Sequence, residues 1–433
     1  MVRLAAWAVV PGSRFASDEE GYFQAATVLL VQGRQDLFWP PVTGWLIAGV
    51  RWLLHSDALP LVRLAWIAMD VGSLMALHTL ARRVGAAVFQ GDGELAAKMA
   101  AVATAAYALY LPAIAHAQFL TSETPALLQT LCLLVLISRP DAGLVASAGA
   151  GALAGTLALT RPSLLPLLVL LPLAAAATPP TRGAVRRALG FILVGGVLVG
   201  AVVIRNGMSA GEFTIAKNSA YNFYLGNRDL YAEDLNLFSP RATAEQIEFR
   251  RQMWSGELAY PTGSPAELQR EAIGWIIAHP WTFARRALGR LARVFVPKTD
   301  VLELAGGEQS AGIWSSVSRA LLVAANVQWA IVLFGGLAGL LIVWHRSPLL
   351  GRLCVATIAG SVVLCLVAIS KPRYSFVFDP LLIVGAAVLA ARPSLARSVL
   401  GRRDRWPLAA VYAFLVWGWI AWLIFALSSR RPS

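Results

Sequence analysis

The strongest constraint on this chain is its repeated return to long apolar runs separated by short, arginine-bearing loops. Such runs occur at Ala58–Ala81, Leu95–Ile114, Phe119–Ile137, Gly143–Thr160, Leu164–Ala177 and Leu189–Ile204. A second set follows at Leu321–Trp344, Leu353–Ile369, Phe376–Ala391 and Leu408–Leu427. About 20 apolar residues cross a bilayer as a helix, and lipid tolerates no unsatisfied backbone. Composition agrees: 57% of the 433 residues are hydrophobic and 14% are charged, against about a quarter charged in soluble domains. The expectation is an all-α polytopic membrane protein with about 11 transmembrane helices. Met1 to Ala16 counts as the partial first helix, because it is too short to span.

Three segments result: 1–204 with a first outer loop at 17–57, a polar stretch at 205–319, and membrane helices at 320–433. Arginines gather at Arg82-Arg83, Arg139, Arg182 to Arg187, Arg346 to Arg352 and Arg397 to Arg405, in alternate loops. Positive loops stay in the cytoplasm. The acidic run Asp18–Glu20, the segment His116–Glu123, Thr160-Arg161, the long loop and Ser370–Tyr374 then share the outer side. The net charge of +13 is thereby accounted for by topology rather than by nucleic acid. No Walker A lysine motif, HExxH cluster or GxGxxG turn is present. Cys132, Cys354 and Cys365 all lie in apolar runs and read as small buried hydrophobes.

Asp18-Glu19-Glu20-Gly21-Tyr22 should lie in water or at the membrane edge, with Phe38-Trp39-Pro40-Pro41 soon after. A carboxylate there either accepts a proton from an incoming hydroxyl or belongs to a solvated turn. Glu123, just inside a helix, either faces a polar cavity or serves the helix dipole. Asp70 sits mid-span, two helical turns from Arg63, too far for certain pairing. Asn218, Tyr221, Asn222, Gly226 and Asn227 offer polyol-binding groups or turn caps. Trp281–Val296 places Arg286, Arg290 and Arg293 on one face, with Lys298 beyond, as an interfacial helix binding lipid phosphate or bulk headgroups would. Lys371 and Arg373 lie on the outer side, where cations keep anionic partners, and an arginine fork suits phosphate.

Together these motifs resemble the GT-C superfamily of membrane glycosyltransferases, nearest the bacterial relatives of protein O-mannosyltransferases and of the lipid A aminoarabinose transferase. The resemblance rests on DExxY (Asp18, Glu19, Tyr22), Pro40-Pro41, Thr121-Ser122-Glu123, Thr160-Arg161-Pro162, Arg205-Asn206, Gly226-Asn227, His279-Pro280-Trp281 and Arg373-Tyr374. It implies Asp18 as catalytic carboxylate, Glu19 as its helper or as the anchor of the loop, and Glu123 as a second pocket acid. It also implies substrate contacts from Tyr22, Arg161, Arg205, Asn222, Asn227, Lys371, Arg373 and Tyr374, with Arg373 on the phosphate. The implied reaction moves a sugar, with inversion, from a polyprenyl-phosphate donor to a hydroxyl of a lipid, glycan or protein acceptor. The resemblance implies no definite cofactor and leaves room for a divalent cation. The competing expectations are a transporter or flippase of an amphipathic anion, with Asp70 and Glu123 as a relay, or a member without catalysis.

Overall fold

The computed structural model describes residues 1–9, 15, 18–139, 143–177, 182–228, 235–255, 263–299, 313–395 and 402–428. Helices, and no strands, make up the regular structure among these residues. Among the described residues, five helices are long and apolar enough to cross a membrane: Leu59–Val88, Gly183–Ala210, Ser316–Arg346, Pro348–Leu366 and Trp406–Ser428. Shorter apolar helices at Glu123–Ile137, Leu144–Thr160, Pro162–Ala176 and Asp379–Ala391 pack among them. The chain is a multi-pass membrane protein.

The shorter helices are short because the chain breaks at three places, and the breaks meet. Leu95–Ile114, expected as one span, is two helices, Gly93–Ala108 and Leu111–His116. Pro112 lies on the fourth residue after Ala108 and cannot close a helical bond to its carbonyl. That carbonyl accepts from the Arg3 guanidinium instead. Residues 117–122 then run without helix until Glu123. The second break is at Arg161, extended at φ −147° and ψ 97° between Leu144–Thr160 and a 3-10 turn at Pro162–Leu164. A residue before proline is pushed out of the helical region, so Pro162 dictates this kink. The third break spans 367–378, whose regular structure is one 3-10 turn, Pro372–Ser375. Non-helical backbone at membrane depth survives only where protein or a polar cavity satisfies it.

Near the start, Glu19–Gln32 and Pro41–Leu54 form an antiparallel pair against Leu59–Val88. Tyr22, Ala26, Ile47, Val62 and Trp66 make their shared core. Gly21 is needed there, since a Cβ would lie 2.3 Å from the Trp39 ring. Arg51 and Asp57, at the far end, form an ion pair at 2.7 Å.

The polar stretch is helical: Lys217–Gly226, Ala244–Ser255, Pro265–Ala278 and Pro280–Val294. Here one expectation is corrected. Arg290 of Pro280–Val294 does not face lipid phosphate but is 2% exposed. It donates to the carbonyls of Gly226 and Leu366, the latter at 3.2 Å. Both carbonyls end helical turns and lack helical partners, so a cation suits them. Arg286 likewise donates to Arg228 O at 2.5 Å, and Lys298 is buried beside Asp379. The basic face therefore turns inward because broken helices leave carbonyls to be satisfied.

Candidate active site

The three breaks, the segment from Asp18 to Pro40 and the stretch from Thr214 to Leu225 wall a cavity of about 810 Å³. Its charged lining is Asp18, Glu123, Arg161, Lys371 and Arg373. Arg161 meets Glu123 Oε1 at 2.8 Å, and Arg373 Nε approaches the same oxygen at 3.3 Å. The other end of the Arg373 fork pairs with Asp18. The result is an alternating row: Arg161, Glu123, Arg373, Asp18. Tyr374 lies under Arg161, ring centroid to guanidinium 4.7 Å. Burial pushes the Tyr374 phenol up to about 12, so it stays protonated.

Exposure separates the two acids. The Glu123 side chain is 3% exposed and that of Asp18 is 35%. Asp18 is thus the acid a substrate in the cavity can touch. Burial raises its carboxyl, but Arg373 and Lys371 outweigh burial and hold it below the ordinary carboxylate range. Glu19, next in the chain, has the opposite setting. It is fully buried and takes a bidentate Arg63 at 2.9 and 2.6 Å plus the Leu120 N–H at 3.0 Å. The expectation that the whole acidic run lies in water or at the membrane edge fails at this residue. Glu19 ties the loop to the break at 117–122 and does not line the cavity. Glu20 is exposed and accepts from Gln24.

An aromatic and amide wall completes the site. Leu37 O and Phe38 O accept from the N–H groups of Lys217 and Asn218, at 2.8 and 3.1 Å. This backbone pairing carries Phe38 and Trp39 to Asn218, Tyr221 and Asn222 on the cavity wall. Tyr22 also lines it, its ring 4.7 Å from that of Trp39. The lining from Leu364 to Ile369, Cys365 included, is mostly apolar.

Two expected substrate contacts lie elsewhere. Arg205 is exposed and donates to Gln35 at 2.7 Å, outside the cavity lining. It ends a turn of Arg182–Ala210 whose other face packs the core, so its side chain points away. Asn227 is buried and donates to Phe223 O at 2.8 Å and Val367 O at 2.6 Å, holding the third break in place. Asp70 and Arg63 do not pair: Arg63 holds Glu19, and Asp70 takes Arg3 at 2.6 Å. Cys365 was legible only as a buried apolar residue, and nothing in its sequence context marks the cavity wall. A divalent cation does not fit this row, because Arg373 already stands between the two carboxylates and three cations face two acids. Among the described residues no cluster of three or more histidine, cysteine, aspartate or glutamate side chains is placed to hold a metal.

No family model matches the chain, and no curated protein matches it at a significant level. Among solved structures, ArnT from Cupriavidus metallidurans bound to undecaprenyl phosphate shares 17% identity at a TM-score of 0.43, over 91% of this chain and 77% of that one. The Archaeoglobus fulgidus oligosaccharyltransferase in complex with Zn and sulfate shares 12% at 0.48, over 99% and 53%. The same organism's oligosaccharyltransferase AglB, with an inhibitory peptide and a dolichol-phosphate, shares 13% at 0.43, over 100% and 56%. This chain spans about half the length of that archaeal enzyme. At these TM-scores the likeness carries no weight of its own, and the functional reading rests on the side chains just described.

Proposed function

We propose that this protein is a membrane glycosyltransferase of GT-C type, moving a sugar from a polyprenyl-phosphate donor to an acceptor hydroxyl at the outer face of the cytoplasmic membrane. The observation that carries the reading is Asp18: an accessible carboxylate held by Arg373 at the edge of a cavity with one surplus cation. Two carboxylates against three cations leave a charge of plus one, which matches the single charge of a sugar phosphodiester. A volume of about 810 Å³ accommodates a phosphate and a sugar. Its apolar side at Leu364–Ile369 suits a lipid chain, and its amide and aromatic side suits a sugar.

The mechanism uses the sharing of Arg373. In the free protein Arg373 quenches Asp18 as a base. A donor phosphate entering beside Lys371 competes for the Arg373 fork, and Asp18 regains basicity at the moment a donor is in place. Asp18 then takes the proton of the acceptor hydroxyl while its oxygen attacks the anomeric carbon. The carbon–oxygen bond to phosphate breaks, and the electron pair leaves with the lipid phosphate. Arg373 and Lys371 stabilise the negative charge that grows there. A single displacement inverts the anomeric carbon. Glu123, fixed by Arg161, holds the other side of Arg373 and keeps the fork at this spot.

Incubating the purified full chain with a panel of polyprenyl-phosphate sugars and candidate acceptors tests this, with release of lipid phosphate expected for at least one pair. Lipid phosphate that never appears while a labelled amphipathic anion crosses proteoliposomes would support transport instead. Sidedness is tested by single cysteines at Gln269 and Arg346, both exposed. An impermeant thiol reagent on intact cells should label the first and spare the second; the reverse would invert the topology.

A further inference from the structure

Behind the turn that carries Arg373 lies a second ion pair that never reaches the cavity. Lys298 follows Pro280–Val294 and is 1% exposed; Asp379 opens the helix Asp379–Ala391 and is fully buried. Lys298 Nζ meets Asp379 Oδ2 at 3.2 Å, donates to Pro372 O at 3.1 Å, and donates to Ser375 Oγ. An ammonium has three donors, and here three acceptors face it. The Tyr110 hydroxyl donates to the same Asp379 oxygen at 3.0 Å, and the Trp329 ring lies 4.1 Å from Nζ. The lysine is itself held: its N–H donates to Asn326 Oδ1 at 2.7 Å, and Asn326 Nδ2 donates back to its carbonyl at 3.1 Å.

Two of the three contacts of Nζ fall on the residues that bracket Arg373 in the turn Pro372–Ser375. Stability alone does not explain such a pair, because an apolar pair of similar volume is usually as stable or more so. An orienting role does explain it: a fork shared between Asp18 and Glu123 works only if its backbone cannot rotate. We propose that Lys298, with Asp379, is a positioning residue that locks the 372–375 turn so that Arg373 faces the donor phosphate. This rests on the reading above in which Arg373 takes that phosphate. The pair acts through Arg373, and no atom of Lys298 or Asp379 lines the cavity.

The test is a mutant cycle on the purified full chain, read by binding of undecaprenyl monophosphate and by thermal melting. Lys298→Met with Asp379→Leu removes both charges together and should keep a melting transition near that of the native protein. It should weaken lipid-phosphate binding by about 10- to 100-fold, the scale of a small misplacement of a binding group. In an Arg373→Ala background the same pair of changes should cost nothing further, since residues acting through one group are not additive. Ser375→Ala, which removes one acceptor only, should weaken binding a few-fold and also lose its effect in that background. If the paired variant does not fold, Ser375→Ala decides alone. Native-like binding by the folded variants, or losses that add to that of Arg373→Ala, would overturn the positioning role while leaving the phosphate reading intact. Native protein that fails to bind undecaprenyl monophosphate would overturn both.

Discussion

The buried charge cluster at Asp70 and the charged row at Asp18 differ in whether a ligand can enter. In the first, Asp70 is 1% exposed and takes Arg3 at 2.6 Å and the Tyr107 hydroxyl at 2.5 Å. Arg3 spends its other nitrogens on the carbonyls of Tyr107 and Ala108. Every strong group is met by another protein group. In the second, Arg161, Glu123, Arg373 and Asp18 form an open row that ends on an acid 35% exposed to the cavity. Buried charge is expensive in both places. The closed cluster spends it on joining Val2–Val9 to Leu59–Val88 and Gly93–Ala108. The open one spends it on a partner that is exchangeable, which is what a site needs.

Substitutions should separate the two. The largest effect is expected from Asp70→Ala, which leaves Arg3 buried without its carboxylate and should cost about 3–5 kcal/mol of stability, or abolish folding. Thermal melting of the purified protein checks this; a native-like transition would mean that the closed cluster is not structural. Arg373→Ala should leave folding largely intact but weaken donor binding by about 1.5–3 kcal/mol, the value of a hydrogen bond to a charged group. Arg373→Lys should recover only part of this, because a point charge replaces the fork. Equal donor affinity in all three proteins would remove Arg373 from the site.

A smaller effect sharpens the comparison through pH. Burial raises the Asp18 carboxyl, while Arg373 and Lys371 bring it below the usual range in the free protein. Asp18 must be ionised to act, so activity is lost as pH falls through its lowered pKa. The acid limb of kcat/KM reports the free enzyme, and that of kcat reports the complex. The first should lie below the ordinary aspartate value of about 3.9. The second should lie higher, because the donor phosphate draws Arg373 away. Coincident limbs would contradict the exchange of Arg373. The smallest effect belongs to Glu20→Gln, an exposed acid whose described contact is Gln24, and should stay within about 0.5 kcal/mol in stability and near native in transfer.

Much of this was legible beforehand, in a particular sense. Apolar runs located the helices, and loop charge put Asp18, Glu123, Arg161 and Arg373 on one side before their contact was visible. Arg373 and Asp18, distant in sequence, do meet. What hydropathy conceals is rotation about helix axes and the partner of each charge. Asp70 invited pairing with Arg63 two turns away, yet the two take partners on other elements. Arg290 and Asn227 look like ligands for substrate and are instead ligands for carbonyls freed by broken helices. The break at 109–110 depends on Pro112 inside an apolar run, where hydropathy alone continues the helix. Lys298 read as a headgroup contact because its carboxylate, Asp379, lies on a helix far along the chain.

The central claim is that Asp18 is the proton acceptor of a sugar transfer and that Glu19 beside it is not. Asp18→Asn preserves shape and removes basicity, so it is measured with a donor and acceptor pair on which the native protein works, at matched expression and with donor binding followed alongside transfer. Donor binding should survive and transfer should fall by about 10²–10⁴-fold, the usual worth of general-base catalysis. Near-native transfer by a folded Asp18→Asn protein would contradict it.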